Sequence, residues 1–92
     1  MSDNQRKHQR TPLKVQFKIW HDSFGEAMVL TRDVSEGGVF LITDSVDVDL
    51  PEIGTVLKGQ VQNVMDDPPL VTMEIVRMEP VGIGLRFIEN VE

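Results

Sequence analysis

Apolar and polar positions alternate along much of the chain, and this pattern predicts short β-strands. In residues 13–21, Val15, Phe17 and Ile19 alternate with polar neighbours, which is the period of two expected of a half-buried strand. The same pattern, bounded by turn residues, predicts five further strands. Their approximate bounds are 26–32, 39–43, 55–65, 70–78 and 82–87.

Three local features refine these strands. Residues 39–43 form a short apolar run, typical of a strand buried on both faces. Gly59, inside the strand over 55–65, predicts a bend or a bulge where a barrel turns a corner. Residues 66–69 include two prolines, which have no N–H to donate to a ladder, so this segment predicts a hairpin connection.

Short strands throughout, with no helical stripe of ten residues or more, predict an all-β fold. We expect a six-stranded antiparallel β-barrel, because closure removes exposed strand edges. The barrel is predicted over 13–88 of a single domain that spans 1–92, and residues 1–12 are predicted to form a flexible basic arm without a core-facing pattern. The expected core residues include Phe17, Leu30, Phe40, Val61, Ile83 and Phe87.

Composition limits the chain to one small domain. It has 92 residues and no cysteine, which excludes disulfides, a thiolate nucleophile and a thiolate zinc site. The longest apolar run, residues 39–42, is far shorter than the roughly 18 residues of a membrane span, and the N-terminus lacks a signal-peptide pattern. We therefore expect a cytoplasmic protein without membrane insertion.

Charge is divided unevenly along the chain. Residues 1–20 carry five basic residues and one acidic residue, whereas residues 21–92 carry four basic and 14 acidic residues. A basic segment beside an acidic barrel favours a short anionic ligand, since the acidic remainder would repel a long nucleic acid. We expect no nucleic-acid partner.

Catalysis and metal binding find little support in the residue pattern. His8 and His21 are not at a recognisable spacing from a nucleophile, and no Gly-x-Ser-x-Gly segment is present. The acidic residues of 44–52 have the wrong offsets for a calcium loop; they are Asp44, Asp47, Asp49 and Glu52. We expect no enzyme, no catalytic residue, no metal site and no cofactor.

Two segments together carry the candidate binding chemistry. Residues 6–10 place two arginines four positions apart in the arm, and residues 33–38 place a carboxylate, a hydroxyl and two glycines on a turn between strands. Either segment alone is common in solubilising tails or in ordinary turns. The candidate ligand-binding residues are Arg6, Arg10, Asp33, Ser35, Gly37 and Gly38.

The two segments complement each other for a ligand that carries guanine and phosphate. An arginine matches a phosphate or the O6/N7 edge of guanine with two parallel hydrogen bonds, and its guanidinium can stack on a purine. Asp33 can accept hydrogen bonds from N1–H and N2–H of guanine, and Ser35 can donate to a phosphate or to the base. Glycine at 37 and 38 allows a close approach of the backbone.

Arg6-x-x-x-Arg10 followed by Asp33-x-Ser35-x-x-Gly38 resembles the two-part signature of the PilZ family, bacterial receptors for the second messenger cyclic di-GMP. Residues 82–87 resemble the last barrel strand of that family, so the resemblance covers residues 5 to about 88. It implies a six-stranded antiparallel barrel, in which the two arginines contact phosphates and guanine while Asp33, Ser35 and Gly38 line the guanine pocket. Many members carry a helix after that strand, whereas residues 88–92 leave room for little or no C-terminal helix.

The resemblance and the charge distribution together favour a non-enzymatic cyclic di-GMP receptor. We expect the dianionic ligand to order the arm against the barrel and to signal to a protein partner, since the chain shows no second domain to regulate. A PilZ-like barrel that acts as a protein-interaction module without nucleotide is the alternative. A barrel that binds RNA or single-stranded DNA is disfavoured by the sequence pI of 4.8 and by the few aromatic residues.

Three residues outside these segments leave open questions. Gln5, just ahead of the first arginine, does not decide between one ligand and an intercalated pair. Trp20 lies off the apolar face of its strand, where it either covers a partner or closes the end of the barrel. Arg86 is expected to be solvated or salt-bridged rather than part of the site.

Overall fold

The computed structural model describes residues 11–46 and 49–88, and every regular element in those ranges is a β-strand. It contains β1 (Thr11–Pro12), β2 (Gln16–His21), β3 (Gly25–Val34), β4 (Gly38–Ile42), β5 (Val56–Val61), β6 (Val71–Glu79) and β7 (Gly82–Phe87). The described part of the chain has no helix that is long and apolar enough to cross a membrane.

Six of the strands form a closed antiparallel barrel. The strand order is β3-β2-β5-β6-β7-β4, and β4 pairs again with β3 to close the sheet. Strand β1 is an addition to this barrel and pairs with the C-terminal end of β3. The all-β fold and the six-stranded barrel predicted from the sequence are confirmed.

The largest difference between a predicted and an observed strand bound is at the end of β5, which lies at Val61 rather than near residue 65. Strand β7 has the predicted bounds, whereas β2 begins at Gln16 rather than near residue 13. Strand β3 continues to Val34 because its last two residues pair with both β1 and β4. Asp33 therefore belongs to a strand and not to the turn that follows it.

Inward-facing side chains of all six barrel strands form the core. Strands β2, β3, β4, β6 and β7 each contribute two alternate residues to it, and β5 contributes one, as expected of the period of two along a strand. The buried core residues are Phe17, Ile19, Ala27, Val29, Val39, Leu41, Leu57, Met73, Ile75, Ile83 and Leu85. The Cα radius of gyration is 13.3 Å, as expected of a compact domain of this length.

Of the core residues predicted from the sequence, Phe17 and Ile83 are confirmed, and Val61 and Phe87 are half-buried against the core. The prediction for Leu30 is wrong, because this residue lies on the outward face of β3 and is 40% exposed. Phe40 is buried, as predicted, but it lies outside the core cluster. Strand β4 is thus buried on both faces, as its apolar run predicted.

Two β-bulges interrupt the ladders. The β3–β4 register shifts between Thr31 and Asp33, and the β6–β7 register shifts between Ile75 and Arg77. Of the bend or bulge predicted at Gly59, the bulge is absent, since β5 pairs with both of its neighbours in continuous register. A Cβ at that position would overlap side-chain atoms of Phe17 and Met73, so the glycine leaves room for the core.

Candidate ligand-binding site

The predicted site residues of 33–38 lie at the junction of β3 and β4. Asp33 is the penultimate residue of β3, Ser35 begins the connecting turn and Gly38 is the first residue of β4. Arg6 and Arg10 lie outside the described residues. The contacts described below are therefore those of residues 33–38, which form the barrel half of the candidate site.

Hydrogen bonds within the turn hold residues 35–38. The Ser35 amide donates to the Gly38 carbonyl at 2.9 Å, and the Gly37 amide donates to Ser35 Oγ at 3.3 Å. The amide of Phe87 donates to the Gly37 carbonyl at 2.9 Å, which ties the turn to β7. The Ser35 hydroxyl is thereby held at a defined place on the barrel surface.

The bulge in β3 explains why Asp33 faces outward. The strand alternates with Ala27, Val29 and Thr31 on the inner face, and strict alternation would place residue 33 there as well. Arg32 is the extra residue of the bulge, so the alternation shifts by one position after it. Asp33 pairs with Phe40, which lies on the outer face, and shares that face with it.

Asp33 belongs to a row of cross-strand partners on the outer face. Asp33 pairs with Phe40, Phe40 with Gly84, and Gly84 with Arg77, which takes the row across β3, β4, β7 and β6. The bulge in β6 shifts Arg77 to the outer face in the same way as the bulge in β3 shifts Asp33. Both bulges thus bring a charged side chain next to Phe40.

An ion pair holds the Asp33 carboxylate. Arg32 Nε lies 3.0 Å from Asp33 Oδ2, and the Asp33 side chain is 14% exposed. The guanidinium carbon of Arg32 lies 3.8 Å from the centroid of the Phe40 ring. The candidate guanine acceptor is therefore a largely buried carboxylate paired with a neighbouring arginine.

Glycine at 38 is required by the close approach of β4 and β7. A Cβ on Gly38 would overlap the carbonyl oxygen of Leu85, and its φ is not in the left-handed region. The sequence suggested that this glycine admits a ligand to the backbone. The structure gives a further reason for glycine at this position: β4 and β7 lie too close together there to accommodate a side chain.

Strand β1 lies beside the site. Thr11 pairs with Val34 and Pro12 pairs with Asp33, so the last two residues of the arm run along the end of β3. A two-residue strand is too short for any periodicity to predict it. The arm residue Arg10 is bonded directly to Thr11, the partner of Val34.

A family model described as the PilZ domain matches residues 4–92. The chain belongs to the PilZ domain family. PilZ domains form a family of cyclic di-GMP-binding modules, which agrees with the motif resemblance. A search of curated proteins finds no match to this chain.

A solved structure with a similar fold is described as the inhibitor of motility (MotI/DgrA) of Bacillus subtilis. The TM-score is 0.65 with 17% sequence identity, and the alignment covers 94% of this chain and 43% of that chain. This PilZ domain therefore spans less than half the length of that neighbour. At this identity the similarity establishes the fold.

Arg86 of the PilZ domain forms a cross-strand ion pair. It lies opposite Gly38 in β4 and opposite Glu74 in β6. Its Nη2 and Nε lie 2.7 and 2.9 Å from Glu74 Oε1. The expectation of a salt-bridged arginine is confirmed.

Arg32, Phe40 and Arg77 surround the site but were not predicted to belong to it. Arg32 and Arg77 face outward together with Asp33 because of the two bulges, and the sequence pattern gave no sign of either bulge. Phe40 looked like a core residue because apolar neighbours flank it. The one available signal was Gly84, which lies opposite Phe40 in the ladder and leaves space above it.

Trp20, in β2, pairs with Glu26 near the start of β3, whereas the candidate site lies at the end of β3. Its Nε1 donates to Glu26 at 3.1 Å, and Lys18 Nζ lies 5.7 Å from the indole centroid. Trp20 and Glu26 border an open groove of about 740 Å³ near the β2–β3 hairpin. Asp33 lies seven positions after Glu26 in β3, about 23 Å at the usual rise per residue.

The described residues contain no group of three or more His, Asp or Glu side chains that could hold a metal ion. Asp47, one of the loop acids considered above, lies outside the described ranges. His21 accepts a hydrogen bond at Nδ1 from the Ser23 amide at 3.0 Å, within the β2–β3 turn. This contact gives His21 a role in the turn.

Proposed function

We propose that this PilZ domain is a receptor for cyclic di-GMP, with Asp33 and Ser35 as the barrel half of the site and Arg6 and Arg10 as the arm half. The observation that carries the proposal is the pairing of β1 with β3. It places the residue bonded to Arg10 opposite Val34, between the two polar residues of the turn motif. The arm half of the motif is therefore joined directly to a strand that pairs beside the turn half.

Guanine is the base that this barrel half fits best. A carboxylate accepts two hydrogen bonds from N1–H and N2–H of guanine, whereas adenine would present an unprotonated ring nitrogen to Asp33. The carboxylate is largely buried, so an unmatched base would leave it without the hydrogen bonds that water supplies. Selectivity for guanine over adenine follows from this mismatch.

Phosphate recognition falls to the arm. The chain has a formal net charge of −6, so a dianionic ligand needs a local positive group to approach it. Arg6 and Arg10 supply guanidinium groups that bind phosphate or stack on guanine. We propose that the ligand bridges these arginines to Asp33 and Ser35.

The response to binding is a change in the surface near the arm. A ligand that contacts both halves fixes residues 1–10 against β3, and the ordering entropy is offset by the new contacts. We propose that a partner protein recognises this new surface. Increased hydrogen-exchange protection of the arm amides upon addition of cyclic di-GMP is the expected sign.

Isothermal titration with cyclic di-GMP tests the proposal, and separate titrations with GTP and cyclic di-AMP are the controls. We expect micromolar or tighter binding of cyclic di-GMP alone. Arg10→Ala is expected to weaken binding by about 2 kcal/mol, the scale of a charge-assisted contact. Lys14→Ala, which removes an exposed positive charge four residues later, is the matched control and is expected to bind like wild type.

Absence of heat and of a thermal shift at high ligand concentration would contradict the receptor proposal. The PilZ-like barrel would then be an interaction module without nucleotide. Equal losses in Arg10→Ala and Lys14→Ala would instead show a general charge effect and would contradict the assigned arm contact.

A further inference from the structure

Phe40 occupies an unusual position for a large aromatic residue. It is 0% exposed, yet it lies on the outer face of the barrel and is not part of the core cluster. Its ring is covered from outside by two arginines, with guanidinium carbons 3.8 Å (Arg32) and 5.4 Å (Arg77) from the ring centroid. The ring is therefore buried beneath these two guanidinium groups rather than among the side chains of the core.

Glycines in β7 provide the seat for this ring. A Cβ on Gly82 would lie 2.9 Å from Phe40 Cε1 and would also overlap the carbonyl oxygen of Leu41. A Cβ on Gly84 would lie 3.6 Å from Phe40 Cδ2. The ring therefore lies in the space that the absent side chains of β7 leave on the outer face.

The two arginines over Phe40 are alike in exposure but differ in their acidic partners. Their side chains are 43% exposed (Arg32) and 48% exposed (Arg77). Arg32 Nε donates to Asp33 Oδ2 at 3.0 Å, whereas Arg77 forms an ion pair in which its Nε lies 2.9 Å from Glu79 Oε2. Arg32 therefore contacts both the Phe40 ring and the candidate ligand site, whereas Arg77 contacts the ring and the end of β6.

We propose that Arg32 is a positioning residue for ligand recognition, held on Phe40 so that its Nε–H directs the Asp33 carboxylate toward the guanine edge. The inference rests on the proposed function and deepens it. A carboxylate oxygen has two lone pairs, so Oδ2 can accept from Arg32 and still accept from a guanine N–H. Stacking on Phe40 restricts the guanidinium and thereby restricts the carboxylate that it bonds.

Binding of two cyclic dinucleotides to Arg32→Gln tests this role. Cyclic di-GMP offers N1–H and N2–H, whereas cyclic di-IMP, its hypoxanthine analogue, lacks the N2 amino group. We expect Arg32→Gln to weaken cyclic di-GMP binding about tenfold, and to reduce the preference for cyclic di-GMP over cyclic di-IMP, because a misdirected carboxylate loses the N2–H bond first. A role in stability alone would leave that preference unchanged.

Arg77→Gln is the matched control, because it removes a second guanidinium from the same ring without removing the Arg32–Asp33 bond. We expect it to keep the wild-type affinity and preference. In an Asp33→Ala background, Arg32→Gln is expected to have no further effect on affinity, since the residue acts through that carboxylate. Additive losses would overturn the proposal and would indicate direct contact between Arg32 and ligand.

Wild-type affinity and preference in Arg32→Gln would overturn the proposal, as would tighter binding, which would make Arg32 a competitor of the ligand. Failure of the wild-type protein to bind would contradict the proposed function instead. An NMR measurement without ligand tests the positioning role in that case. Asp33→Ala is expected to shift the Nε–H resonance of Arg32 and to leave that of Arg77 in place. An unshifted Arg32 resonance would overturn the positioning role.

Discussion

Individual glycines decide how closely the strands around the site approach each other. Gly38 and Gly82 face backbone carbonyl oxygens of the opposite strand, Leu85 O and Leu41 O respectively, at distances that no side chain would permit. Gly84 lies in the same ladder but has space above it, with Arg77 Cβ 3.4 Å and Phe40 Cδ2 3.6 Å from an added Cβ. Glycines with the same appearance in the sequence therefore have different tolerances.

Alanine substitutions at Gly38 and Gly84 are expected to separate these tolerances. Gly38→Ala should lower the free energy of unfolding by about 2–3 kcal/mol, because a backbone carbonyl cannot move aside without breaking the ladder. Gly84→Ala should change it by less than about 0.5 kcal/mol, since its new contacts are ordinary ones. Urea denaturation compares the two variants, and equal effects would contradict the packing argument.

At the scale of elements, Thr31 holds the segment in which the chain leaves β1 and enters β2. This residue is buried at 1% exposure. Its Oγ1 accepts from the Val15 amide at 2.9 Å and donates to the Leu13 carbonyl, and its own amide donates to the Val15 carbonyl at 2.9 Å. The connection between β1 and β2 is therefore bonded to a single side chain, which fixes β1 beside Asp33.

Thr31→Val is expected to loosen β1 while keeping the shape of the core. It leaves the Val15 amide and the Leu13 carbonyl without their partner, at a cost of about 2 kcal/mol in the free energy of unfolding. Hydrogen exchange at Leu13 and Val15 should become faster than in wild type. Thr72→Val in β6, a half-buried threonine away from β1, is the control and should leave this exchange unchanged.

For the whole molecule, closure of the barrel joins all the strands that form the site into one cooperative unit. The row from Asp33 to Arg77 crosses four strands that follow one another around the barrel. Strands β3 and β4 adjoin in sequence, whereas β4 and β7 pair although β5 and β6 lie between them in the chain. Binding at the row should therefore stabilise the complete fold rather than one hairpin.

Cyclic di-GMP is accordingly expected to raise the melting temperature of the whole domain in a single transition. At a ligand concentration about 100 times the Kd, linkage predicts about 2.7 kcal/mol of added stability. This corresponds to a shift of about 10 °C or more for a domain of this size. Differential scanning fluorimetry measures it, and Asp33→Ala should reduce the shift.

Separate unfolding transitions, with only one of them sensitive to the ligand, would contradict the single cooperative unit. The same titration with Lys14→Ala should reproduce the wild-type shift.

The strand pattern could be read from the sequence wherever alternation was local. The predicted bounds of β7 equal the observed ones because Ile83, Leu85 and Phe87 alternate with glycine and arginine without interruption. The bulges at Arg32 and Val76 could not be read, because a bulge is a relation between two paired strands. The absence of a bulge at Gly59, where the sequence predicted a bend or a bulge, has the same reason: the glycine makes room for Phe17 and Met73, which come from other strands.

The candidate site divides in the same way. Asp33, Ser35 and Gly38 could be chosen from the sequence because they lie within six consecutive residues and their chemistry is local. Arg32, Phe40 and Arg77 could not, because their contacts depend on the register of β3, β4, β6 and β7. No short-range pattern records which residues meet across a ladder.

By itself, the sequence determined the all-β class, the number of barrel strands and the residue types of the candidate site, since alternation, turn chemistry and functional groups are properties of neighbouring residues. Only the tertiary structure decided that Asp33 faces outward, that Phe40 is buried outside the core, and that β1 lies beside the turn. Each of these results depends on strand register and barrel closure. Both are settled by contacts between residues that are distant in the chain, so no local pattern could predict them.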